Sequence, residues 1–169
     1  SIVNVGSTAF LRYSKIFQRE FGPEMGIPVS VITDLDVKPD EENTKEDGVQ
    51  KTKAEIEKEN KNLAYNGQKV KTFVSPHWTL EYCLAISDKL KQTFFDAIKK
   101  VHTKIDQNNI LDEIKEKLEK GTLKKAEIAQ IFAARIEEST LSKKDLESDT
   151  KIQYLLDAIK YAAGKNTSY

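Results

Sequence analysis

One stretch constrains this chain more than any other: Ile27-Pro28-Val29-Ser30-Val31-Ile32-Thr33-Asp34-Leu35-Asp36-Val37. Its apolar, β-branched run reads as a buried strand over 27–33, of the kind found in parallel sheets. The run stops in two carboxylates spaced i, i+2. In open α/β sheets, ligands gather beyond the carboxyl ends of strands. Asp34 and Asp36 therefore stand where a binding site is expected. No Lys or Arg of the stretch neutralises them before Lys38, and two carboxylates so placed repel one another. A hard divalent cation with oxygen ligands relieves that repulsion. The spacing nominates Asp34 and Asp36 as metal ligands, with a solvated strand-end turn as the plainer alternative.

The flanking text supplies the rest of an α/β pattern. Residues 2–5 read as a short strand, Gly6-Ser7-Thr8 as a turn, and 9–21 as a helix with Phe10, Tyr13, Ile16 and Phe17 at helical spacing. Gly22-Pro23 ends that helix. A polar loop follows Val37. Residues 45–64 carry many Lys and Glu but few apolar side chains (Val49, Ile56, Leu63), the pattern of a solvated helix with a thin contact stripe. Asn66-Gly67 makes a turn, and 69–74 alternates Val70, Thr72 and Val74 as a further strand. Strand, helix, strand, helix, strand in this order implies parallel pairing with right-handed crossovers.

Beyond that strand, Ser75-Pro76-His77-Trp78-Thr79-Leu80-Glu81 carries the proline and hydroxyl of a helix start. Glu81 falls in a first helical turn just past a strand end, on the sheet edge expected for Asp34 and Asp36. A third carboxylate there suits Mg²⁺ or Mn²⁺. His77 reads as a surface-loop histidine. From Asp88 onward the periodicity is helical: 88–104, 109–119 ending at Gly121, 123–138 and 151–163. The organisation expected is a partial α/β domain over 1–87 and a helical extension over 88–169.

Composition narrows the function classes. Lysine plus arginine equals aspartate plus glutamate at 27 each, which excludes a uniformly basic nucleic-acid surface but not a local patch. The single cysteine, Cys83, forbids an intrachain disulfide and sits in an apolar run as a buried thiol. No Gly-rich phosphate loop occurs. No apolar run reaches the ~20 residues of a membrane span, and there is no signal-peptide pattern, so the cytoplasm is the expected location. The chain opens inside a strand-like run without Met, the mark of a piece of something longer.

A strand ending in Asp-x-Asp, then a later strand followed by a carboxylate, resembles the Toprim fold. The ordered set is more similar to the OLD (overcoming lysogenization defect) family of ATP-dependent endonucleases, whose C-terminal half is a Toprim nuclease. Residues 2–10 resemble that family's strand and turn before a helix, 31–36 its Asp-x-Asp strand, 75–85 its acidic helix start. The segment Leu123-Lys124-Lys125-Ala126-Glu127-Ile128 resembles its lysine-bearing helix, with Lys125 the best match. The resemblance covers roughly residues 1–140. It implies an N-terminally truncated Toprim-like parallel sheet followed by a helical region. It implies Mg²⁺ or Mn²⁺ held by Asp34, Asp36 and Glu81, with Lys125, Asp34 and Asp36 as the catalytic residues and DNA as the substrate. ATP and homo-oligomerisation would enter only through an N-terminal ATPase domain, which this chain lacks. The family also places a glutamate in a Glu-Gly context before everything seen here. Without it, the chain alone is expected to cut poorly.

Two other functions fit parts of the text. Asp34-Leu35-Asp36-Val37 also suits the opening motif of haloacid-dehalogenase-like phosphatases, whose first Asp is a nucleophile; that fold needs a late acidic pair after a further strand, and the late chain is helical. A non-catalytic module binding a cation or a partner through its acids is the third. Lys125 is expected to reach the acidic edge of the sheet, because it lies three residues before Ile128 on the helix's buried side. Lys124 is rotated by about 100° into solvent.

Overall fold

The computed structural model describes residues 2–3 and 10–165. Of the strand expected over 2–5, residues 2–3 are in no regular element and residues 4–5 lie outside the described residues, as does the turn expected at 6–8. Among the described residues the order is α1(Phe10–Ile16), β1(Val29–Thr33), α2(Lys53–Tyr65), β2(Val70–Val74), α3(Leu80–Ala85), α4(Lys91–Val101), α5(Ile110–Glu119), α6(Lys125–Glu137), α7(Lys143–Glu147) and α8(Gln153–Ala162). The fold is mixed α/β, with a small two-stranded parallel sheet and several helices. No helix among the described residues is long and apolar enough to cross a membrane. The chain divides into two compact units, residues 1–78 with 154–169 and residues 79–153.

In the first unit β1 and β2 pair in parallel, in register from Val29 opposite Val70 to Thr33 opposite Val74. Pro28 has no N–H to give the ladder. Regular pairing therefore starts at Val29, whose N–H donates to the Lys69 carbonyl at 2.9 Å. β1 is less enclosed than its composition predicts: Val31 is buried, whereas Ile32 is exposed. Successive side chains point to opposite faces of the sheet, and at this position the face that carries Ile32 is the more open one. α8 returns to this unit from the far end of the sequence. The Ser30 hydroxyl donates to the Ala158 carbonyl at 2.7 Å, and Tyr161 sets its ring 5.9 Å from that of Phe73.

α2 starts later than the run of Lys and Glu suggests. Thr52 accepts from the Glu55 N–H, and the Glu55 carboxylate accepts from the Thr52 N–H, a reciprocal capping box. Upstream, Gly48 adopts φ 79°, a left-handed conformation that interrupts any helix. α2 buries none of its residues fully; Ala54 packs against Leu35, Val37 and Val74.

The second unit is helical throughout. Thr79 caps α3 by accepting from the Tyr82 N–H, and four consecutive residues, Tyr82 to Ala85, are buried. α4 and α6 pack through an edge-to-face pair, Phe94 and Phe132, with centroids 5.5 Å apart. Ile98, Ile114 and Ile128 fill the centre of this unit. α5 stops where expected: Gly121 adopts φ 63°, a backbone conformation costly to any residue with a Cβ. Asp149 is wholly buried and binds the loop before α4, accepting from the Ser87 hydroxyl at 2.5 Å and from the N–H groups of Lys89 and Lys151.

Candidate functional site

The segment after β1 remains extended and stays fastened to the segment after β2. The Ser75 N–H donates to the Thr33 carbonyl, and the Leu35 N–H donates to the Ser75 hydroxyl at 2.8 Å. The Asp36 N–H then donates to the Trp78 carbonyl at 2.8 Å. Leu35 and Val37 point into the apolar cluster, each burial contributing about 1.5–3 kcal/mol. Between these two buried neighbours the Asp36 side chain is left mostly exposed.

Asp36 has φ 62°, in the left-handed region. Asp visits this region more readily than most residues but still at a cost. Such a conformation persists where surrounding bonds over-determine it. Here the Trp78 carbonyl holds the backbone N–H, and Lys61 holds the side chain: its ammonium lies 2.5 Å from Asp36 Oδ2 and 2.6 Å from the Asp34 carbonyl oxygen. The Glu57 carboxylate lies 3.7 Å from the same ammonium. Ala54, Glu57 and Lys61 stand at i, i+3 and i+7 and share one face of α2. Packing of Ala54 against the Leu35 cluster therefore carries Lys61 to the strand end. Lys61 is only 11% exposed at its side chain, whereas Asp36 is 64% exposed.

A second carboxylate fastens the same region. Glu42 accepts from the Trp78 N–H at 3.2 Å and meets His77 Nδ1 at 2.8 Å. A carboxylate only accepts, so Nδ1 carries a proton there. His77 is half-buried by this pairing, and so differs from the surface-loop histidine that the sequence suggests. The Glu42 backbone is also tied to α2, through its carbonyl to the Ala54 N–H.

Glu81 and Lys125 belong to the second unit, and the structure brings them together. Lys125 Nζ lies 3.0 Å from Glu81 Oε2, across 44 residues of sequence. Glu81 stands in the first turn of α3 and is only 16% exposed at its side chain; Lys125 opens α6 and is 52% exposed. Lys125 thus lies on the rim of its helix, and Ile128 alone in that first stretch is buried. A lysine in the first turn opposes the helix dipole, and the Glu81 carboxylate offsets it. Lys124 is the N-cap without a side-chain cap bond. Its ammonium faces Glu127 at 3.3 Å, and its N–H meets His102 Nε2 at 3.4 Å. Burial first, then the charges of Lys117 and Lys124, hold His102 below its ordinary pKa.

Of the four candidates, Asp34 and Asp36 adjoin one another in the first unit with Lys61. Glu81 and Lys125 form an ion pair in the second. Among the described residues, no group of three or more His, Cys, Asp and Glu side chains gathers to hold a metal ion. Lys61 and Glu42 are the residues that sequence reasoning missed. The signal for Glu42 was absent, since loop acids carry no period. For Lys61 only its spacing from Ala54 was available, in a segment crowded with other lysines. Comparison with known proteins gives no match to a family model, a curated protein or a solved structure.

Proposed function

We propose that this chain is the Toprim portion of a metal-dependent DNA endonuclease, with Asp34 and Asp36 as ligands of Mg²⁺ or Mn²⁺. The observation that supports this most is Asp36 itself: a non-glycine residue at φ 62°, just past the carboxyl end of a parallel strand, with its carboxylate mostly exposed. Local rules are broken there for no gain in stability, which is a feature of functional positions. The donor chemistry fits the metal. Both acids offer hard oxygen, and the place already attracts a cation in the Lys61 ammonium. Mg²⁺ commonly takes one or two carboxylates and completes its shell with water and phosphate. When bound, such an ion supplies Lewis-acid stabilisation of a phosphodiester under attack.

The chain's own residues would do the rest. Asp34 and Asp36 hold the cation. The role that the resemblance implies for Lys125 is to neutralise charge developing on phosphate, and the positive end of α6 would aid it. Glu81 is the third acid that the resemblance implies, and it orients Lys125. The two lysines at the start of α6 weaken that helix end, again the trace of a requirement other than stability. In the intact parent protein, Lys125→Ala should abolish Mn²⁺-dependent plasmid nicking while leaving Mn²⁺ binding intact, and Lys124→Ala should change little. Full nicking by Lys125→Ala would remove that lysine from the reaction. Full nicking by Asp34→Asn together with Asp36→Asn would remove the proposal.

The Lys61 ion pair favours a second reading, a non-catalytic module in which the salt bridge merely closes the strand end. That reading requires that the protein bind no divalent cation at Asp36.

A further inference from the structure

We propose that the outer edge of β1 pairs with the same edge of a second copy of this chain, antiparallel about a two-fold axis, to give a continuous sheet of both copies' strands. The contact is independent of any metal at the strand end. The ladder fixes which groups face that edge. In a parallel pair, every second residue of a strand bonds its neighbour. The Val29 N–H donates to the Lys69 carbonyl, and the Thr33 carbonyl accepts from the Ser75 N–H. With Val29 opposite Val70 and Thr33 opposite Val74, residues 29, 31 and 33 turn their backbone groups toward β2. The N–H and carbonyl groups of Ser30 and Ile32 turn the other way, and among the described residues no strand pairs with them. The outer edge of β2 differs. There Val70 and Gly67 exchange backbone bonds at 2.8 and 3.1 Å, and the Thr72 N–H donates to Asn66 Oδ1 at 2.6 Å, which closes that edge. On β1 no charged residue lies between Ile27 and Thr33, although charge is a usual means of blunting an open edge.

What this edge offers is complementary to itself, as a two-fold contact requires. Setting Ser30 opposite the partner's Ser30 would place Ile32 against the partner's Pro28, which has no N–H to give. Setting Ile32 opposite the partner's Ile32 would place Ser30 against the partner's Asp34. In each chain the Asp34 carbonyl already accepts from Lys61 at 2.6 Å. Setting Ser30 opposite the partner's Ile32 avoids both conflicts. Directly opposed residues of an antiparallel pair can exchange both their N–H···O bonds. The outward groups of Ser30 and Ile32 are then all satisfied. In this register Asp34 falls opposite the partner's Pro28, so the acids at the two strand ends do not meet. Ile32, exposed in the single chain, comes within diagonal reach of the partner's Ile32. β1 is only five residues long. The contact is therefore smaller than the ~1,200 Å² of a standard interface, and the dimer is weak.

The test uses the whole chain. Sedimentation velocity from ~10 μM to ~1 mM spans the affinity expected of so small a contact, and should show monomer passing to dimer. Over the same range amide exchange should slow at Ser30 and Ile32, whose N–H groups lie outside the β1–β2 ladder, a measurement that needs no variant. Ile32→Lys brings two ammonium groups together across the diagonal, and Ile32→Glu two carboxylates; both changes fall at an exposed side chain. Each variant alone should associate about tenfold more weakly than wild type or worse, and an equimolar mixture of the two should regain the association. Wild type that stays monomeric throughout overturns the proposal. Dimers formed as readily by both variants as by wild type also overturn it, because the contact then lies elsewhere. A mixture no more associated than either variant overturns the antiparallel pairing. Full protection of the Ser30 and Ile32 amides in dilute monomer overturns the proposal too, by showing that the edge is already covered within the chain.

Discussion

At Asp36 the backbone and the side chain make separate demands, and substitutions separate them. Asparagine tolerates the left-handed region about as well as aspartate and can still accept from Lys61, which keeps the Asp34 carbonyl and Glu57 as further partners. Asp36→Asn should change stability by no more than ~1 kcal/mol. Asp36→Val removes the carboxylate partner of Lys61, leaving it the Asp34 carbonyl and Glu57, and puts a β-branched residue at φ 62°; it should cost about 1–3 kcal/mol. Urea unfolding of the two variants checks the difference. Equal losses would mean that the backbone conformation carries no strain. Asp149 makes the opposite case, a carboxylate retained for the fold. Burial is the largest influence on it and opposes ionisation. The hydrogen bonds from Ser87, Lys151, Lys89 and Asp88 together outweigh burial and hold the carboxyl below the ordinary aspartate range. Its folded pKa is depressed, so its contribution is present above the unfolded value of about 3.9. That contribution is lost as pH falls through the folded value, because the unfolded chain binds the proton first. Asp149→Asn should cost ~2–4 kcal/mol at neutral pH, by leaving buried donors without their anion. It should also flatten the acid limb of the stability profile. A variant as acid-sensitive as wild type would show that other carboxylates dominate.

Among the elements, α2 is the one whose existence depends most on its ends. It buries no residue fully, so its packing is thin and its capping box bears an unusual share of its stability. Thr52→Ala should cost about 1 kcal/mol. The loss should appear as faster amide exchange in the first turn of α2, with α4 and α6 unaffected; uniform acceleration through the protein would contradict it. α3 shows the reverse balance: a short helix with four successive buried residues, held by its surroundings more than by its cap. The same contrast explains how a polar helix such as α2 carries Lys61 to the strand end.

Over the whole chain, the joining of distant sequence is most evident in α8. Residues 154–162 complete the unit that begins with the strands: Ala158 is buried, Ser30 donates to its carbonyl, and the Tyr161 hydroxyl donates to the Lys69 carbonyl. A chain ending at Gln153 should lose about 2 kcal/mol or more, because it gives up the buried Ala158, the hydrogen bond from Ser30 and the Phe73–Tyr161 ring contact. Protection should fall first at Val29–Thr33 and Val70–Val74. Retention of wild-type protection in both strands would show that α8 is dispensable to the sheet.

Periodicity and local stop signals made the elements legible. The 3.6-residue pattern and Gly121 marked α5 to within its observed ends, and alternation marked β2, because both record a face that must be buried. The Asp-x-Asp ending of β1 was legible for the same reason, since Leu35 and Val37 between and beyond the acids demand burial. What lay beyond local pattern was decided by tertiary structure. The covering of the two faces of β1 left Ile32 exposed despite its apolar context. The Asp36 carboxylate, unneutralised in its own stretch, acquired Lys61 from the following helix, and Asp34 met the same ammonium through its backbone carbonyl. His77 acquired Glu42, and Glu81 acquired Lys125. Charges report no period and reach partners through long side chains. Their pairing is therefore set by where packed apolar faces place the backbone, which no single stretch of sequence contains.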